Sequence, residues 1–102
     1  MDNYAIPLFA IVDRHKVDLA SPRLPELAEQ LGAFLDSVHG VHALDWRVEI
    51  LADQPYLVMN GVELAALPRL FALADVQRTQ LFTYRRESAE EAVLTPIAVK
   101  PD

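Results

Sequence analysis

Two histidines, His39 and His42, stand three positions apart around Gly40 in the stretch SVHGVHALDW. His-x-x-His is a spacing that could serve metal binding or proton transfer, because imidazole nitrogens ligate zinc and exchange protons near neutral pH. A closed zinc site takes about four ligands, however, and a pair across a helix end supplies only half of them. His15 and Asp13, which follow the first apolar run, could complete such a site only if the end of that run met the end of the helix. Where a helix returns antiparallel to the preceding strand, those two ends lie apart. The helix end by itself accounts for the residues. Gly40 takes the left-handed position after the last turn, and His39 faces the negative end of the helix dipole. No metal is assigned.

Other chemistry is equally sparse. Asp13-Arg14-His15-Lys16 is the most polar cluster beside an apolar segment, where an aspartate could tune a histidine base. It reads first as a solvated loop, and so does Glu90-Glu91. The absence of cysteine removes disulfides, thiolate metal sites and thiol nucleophiles together. Gly32, Gly40 and Gly61 are scattered, so no phosphate cradle, dinucleotide fingerprint or nucleophile elbow is present. No cofactor is assigned. Arg78, Arg85 and Arg86 interleave with Phe82 and Tyr84, as bases and aromatics do on RNA-binding sheets. Carboxylates in ESAEE, at Asp75 and at Asp102 surround them, and Glu87, Glu90 and Glu91 are the expected partners across a hairpin. A formal charge of −6 opposes binding to a phosphate backbone, so no nucleic acid is expected.

The elements that must position these residues follow from hydrophobic period. Tyr4 to Val12 is an almost continuous apolar run, expected as a strand covered on both faces, with Pro7 at an edge or bulge. Leu24 to Gly40 is the clearest helix. Leu27, Ala28, Leu31, Phe34, Leu35 and Val38 form its apolar stripe; Pro25 suits its first turn, and Ser21 before Pro22 offers an earlier start. In LDWRVEIL, Leu44, Trp46, Val48 and Ile50 alternate with Asp45, Arg47 and Glu49, the pattern of a strand with one buried face. ADQP is read as the loop to a returning strand at Tyr56 to Met59, with Leu51 opposite Tyr56. Asn60-Gly61 is expected as a tight turn. A second helix carries Leu67, Leu70, Phe71, Leu73 and Ala74. QLFTYRR and AVLTPIAVK then form a closing hairpin, with Pro96 favouring an edge.

The order is βαββαββ. It predicts a single α+β domain over residues 1–102, with two helices on one face of a mainly antiparallel sheet, ferredoxin-like in topology plus a C-terminal strand. With 52% hydrophobic and 24% charged residues, the chain can bury a core and stay soluble. Its apolar runs fall short of the roughly 18 residues of a membrane helix. The first segment begins with Asp2 and contains Pro7, so it reads as part of the fold and not as a signal peptide. Only two lysines against many leucines, alanines and arginines suggest a GC-rich bacterial source, and the missing cysteine fits a reducing cytoplasm.

What remains is surface. The expected register puts Leu51, Tyr56 and Val58 beside Asp45, Arg47 and Glu49 on the sheet face away from the helices. Half-apolar faces of that kind bind partners or second copies. The sequence therefore predicts a small non-enzymatic binding or regulatory module (an adaptor, an inhibitor or an immunity-type partner). Leu51, Tyr56 and Val58 are its contact residues, Arg47 and Glu49 its rim, and a protein partner or homodimer its ligand. The alternative is a small-ligand sensor or cofactor-independent enzyme with a pocket between helices and sheet. It would need Asp13, His15, Trp46 and Tyr84 to converge, or a cavity of about 300 Å³ lined by an ionisable group.

Overall fold

The computed structural model describes residues 2–97. Strand β1 (Asp2–Pro7) leads through two short 3₁₀ turns to helix α1 (Leu24–His39). The hairpin of β2 (Asp45–Leu51) and β3 (Gln54–Val62) follows, then α2 (Leu67–Val76) and the hairpin of β4 (Phe82–Arg86) and β5 (Ala92–Pro96). All neighbouring strands pair antiparallel, in the order β2-β3-β1-β4-β5. The fold is α+β, with two helices and a five-stranded antiparallel sheet, as the hydrophobic periods predict.

Both helices pack on one sheet face. Ala28, Leu31 and Leu35 of α1 and Leu70, Leu73 and Ala74 of α2 share a core with Tyr4, Ile6, Leu57 and Met59. Trp46 and Val48 join it from β2. Alternation sends Ala5, Tyr56, Val58 and Tyr84 to the opposite face, where they make a second, smaller cluster.

Several boundaries differ from the sequence reading, each for a local reason. The first strand stops at Pro7, which has no N–H to continue the ladder, and Leu8–Ala10 turn as 3₁₀ helix. Pro7 lies on a central strand, but beyond the two residues, Tyr4 and Ala5, that pair with β4. The β2–β3 loop is two residues and not four. Ala52 and Asp53 both have positive φ, 51° and 62°, so Leu51 pairs with Gln54 and Tyr56 with Glu49. The register is thus shifted by an even number of residues, which leaves every side chain on its expected face.

Asn60-Gly61 is not a tight turn. It lies within β3, where Asp2 pairs with Val62 but Tyr4 with Met59, so β3 carries one extra residue. Gly61, at φ 70°, makes this a β-bulge, and its N–H donates to Asn3 Oδ1 at 3.0 Å. The same left-handed preference that suits a turn suits a bulge. β5 takes the edge that Pro96 favours. The expected strand residues from 98 onward, and Asp102, lie outside the described residues.

Candidate functional site

The histidine pair belongs to the helix end. Gly40 sits at φ 66°, its N–H donates to the Asp36 carbonyl at 3.2 Å, and Val41 N–H donates to the Leu35 carbonyl at 3.1 Å. This is the closing pattern of a helix that ends on a left-handed glycine. The His39 ring stands edge-on to Phe34, with centroids 5.6 Å apart, while His42 Nδ1 lies 3.4 Å from Asp36 Oδ2. The two imidazoles therefore have separate partners. Asp13 accepts the His15 backbone N–H at 3.0 Å and caps a 3₁₀ turn, and both residues are exposed. Asp13, His15, Trp46 and Tyr84 do not converge: Trp46 packs in the helix-side core and Tyr84 in the opposite cluster. Among the described residues, no three His, Cys, Asp or Glu side chains are placed to hold a metal ion, and no helix is long and apolar enough to cross a membrane.

The expected contact residues fall into two groups. Tyr56 and Val58 are 8% and 0% exposed and form the floor of the second cluster. Leu51, half-buried, packs against them, with Phe82, Ala92 and Leu94 from the closing hairpin. Tyr56 and Phe82 meet edge-to-face, with centroids 5.8 Å apart. Arg47 remains exposed and donates from Nε to Asp45 Oδ2 at 2.8 Å. Glu49 is held down by an ion pair with Arg86, which reaches it from β4 across the two intervening strands. Arg86 also donates from Nε to the Tyr84 hydroxyl at 3.0 Å. Burial raises the Tyr84 pKa, and the neighbouring Glu49 carboxylate adds to that rise. Arg85 pairs with Glu87, which lies two residues on and not across the hairpin, whereas Arg86 looks across the sheet to Glu49.

Two concavities flank this architecture. On the sheet side, a groove of about 500 Å³ runs between the two hairpin ends. Leu51, Tyr56, Ala92 and Leu94 line it together with Ile50, and Glu90 and Glu91 stand at its rim. On the helix side, a groove of about 390 Å³ separates α1 from α2. Phe34, Val38 and Val76 line it and are 44%, 60% and 75% exposed. Phe34 and Val38 belong to the apolar stripe read from the sequence, but they lie roughly a quarter-turn round α1 from the buried Ala28, Leu31 and Leu35. The stripe was legible; its being wider than the core was not. Arg69 had no sequence signal at all, because its position depends on how α2 approaches Gly40.

Compared with protein-family models, curated proteins and solved structures, the chain matches none.

Proposed function

We propose that this protein is a non-enzymatic binding module, a single ferredoxin-like domain with an added terminal strand, acting in the cytoplasm. It holds a protein partner, or a second copy of itself, against the sheet face away from the helices. The β2-β3-β1-β4 order with β5 outside supports the architecture. One observation carries the functional reading: the apolar cluster of the second face opens as a groove between the hairpin ends, with Leu51 in its wall and Tyr56 at its floor. Mixed apolar surfaces with a charged rim are typical of protein contacts. Glu90 and Glu91 favour a partner whose apolar anchor is flanked by basic groups.

The burial of Tyr56 and Val58 makes them supports of this surface, and leaves Leu51 and Leu94 as the groups that touch. A photo-crosslinking residue at position 51 should capture a discrete protein in extract of the source cells, or a second copy. The same residue at Gln30, exposed on α1, should not. Glu90→Lys with Glu91→Lys should weaken the capture. Identical products from both positions, with the wild type sedimenting as a monomer, would overturn the reading.

A further inference from the structure

We propose that the groove between α1 and α2 is a binding site for a small amphiphilic carboxylate. This inference concerns the opposite layer from the sheet face and stands independently of it.

The flanks of the two helices carry more apolar surface than the core uses. Phe34 and Val38 project from α1, and Val76 projects from α2 one side away from the buried Leu70 and Ala74. Leu73 and Ile11 close the floor between them. The resulting volume, about 390 Å³, lies in the range of roughly 300–1,000 Å³ that small-molecule sites occupy.

Charge selects the ligand class. Among the described residues, the polar groups in the lining are His39, Arg69 and Gln77 and none is a carboxylate, although the chain carries a formal charge of −6. Other concavities differ in this respect: Glu90 and Glu91 border the sheet-side groove, and Asp75 borders the one beyond α2. Arg69 is exposed, and its Nη1 donates to the Gly40 carbonyl at 3.4 Å. A guanidinium has five N–H donors in a rigid fork, so most of its capacity is left for a carboxylate, a stronger acceptor than a peptide carbonyl. An alkyl or aryl chain would lie on Phe34, Val38 and Val76, with its carboxylate on Arg69 in the first turn of α2.

The test is titration of the uniformly ¹⁵N-labelled chain with octanoate, followed by amide chemical shifts, with octan-1-ol as the neutral counterpart. Octanoate should shift amides along 34–39 and 69–77 and bind more tightly than the alcohol. Arg69→Gln should weaken octanoate by at least about tenfold, as expected for loss of a charge-assisted hydrogen bond, and leave octanol unchanged. Val76→Asp, at an exposed position, should abolish both. Equal affinity for acid and alcohol, or an Arg69→Gln variant that binds octanoate normally, would overturn the proposal. So would concentration-dependent shifts of these amides without octanoate, which would assign the groove to a second copy. Binding of an amphipathic acidic peptide without binding of octanoate would likewise overturn it, in favour of a protein occupant.

Discussion

The indole of Trp46 on β2 lies directly against the backbone of Gly32 on α1, so closely that a methyl group at position 32 would stand 2.5 Å from its Cγ and Cδ2. This contact seats α1 on the edge of the sheet and explains a glycine in the middle of a helix. Gly32→Ala should raise helix propensity by about 1 kcal/mol. The overpacking it causes should cost about 1–3 kcal/mol, so the net effect should lie between neutral and about 2 kcal/mol destabilising. Chemical denaturation followed by far-ultraviolet circular dichroism measures the difference in every variant, including those without the single tryptophan. In a Trp46→Leu background Gly32→Ala should cost little or even stabilise, because the clash is between these two groups.

The β2–β3 turn offers the opposite sign. Ala52 and Asp53 hold positive φ without being glycine, in a two-residue loop whose favoured pair is Asn-Gly. A side chain in the left-handed region costs roughly 1–2 kcal/mol per residue. Ala52→Asn with Asp53→Gly should therefore stabilise the protein by about 1 kcal/mol or more, seen as a higher denaturation midpoint with an unchanged slope. A neutral or negative result would mean that the turn relaxes its strain elsewhere.

That turn also shows what the sequence could and could not convey. Period-two alternation assigned Trp46 and Val48 to one face and Arg47, Glu49 and Leu51 to the other, because alternation is a property of each strand alone. Register is a property of the pair, and nothing in ADQP distinguishes a two-residue from a four-residue loop when the shorter one uses disfavoured residues. The C-terminal end of α1 is legible because Gly40 marks it, whereas its start is not, since both Pro22 after Ser21 and Pro25 suit a first turn. The candidate grooves were not. They arise where Phe34 and Val38 meet a flank of α2, and where two hairpin ends meet, and both depend on spatial relations between distant segments.

The ion pair of Glu49 and Arg86 ties β2 to β4 over the second face. Among the described residues Glu49 Oε2 is buried without a hydrogen-bond partner, so this carboxylate depends for compensation on Arg86, which is itself exposed. Removing one member of such a pair strands the other, whereas replacing both with apolar groups is often close to neutral. Arg86→Met should thus destabilise the protein more than Glu49→Leu combined with Arg86→Met. Comparing denaturation midpoints of the two variants decides it; a double variant weaker than the single one would show that Arg86 acts on the sheet through packing alone.

Alkaline pH should destabilise the fold through two buried tyrosines, Tyr84 in the second cluster and Tyr4 in the helix-side core. Burial holds the Tyr84 hydroxyl protonated above its ordinary range, aided by Glu49, and burial with Asp2 does the same for Tyr4. An unfolded tyrosine loses its proton near about pH 10. Below that value both states are protonated and the full stability is present. Above it the unfolded chain binds fewer protons than the folded one, so stability falls as pH rises towards the folded-state values. The slope is at most about 1.4 kcal/mol per pH unit for each tyrosine. Tyr84→Phe should flatten this alkaline loss by one residue's share, and Tyr4→Phe should remove another. Urea midpoints taken on either side of about pH 10 test it. If Tyr84→Phe leaves the alkaline slope unchanged, the hydroxyl titrates as freely in the folded protein as in the unfolded chain.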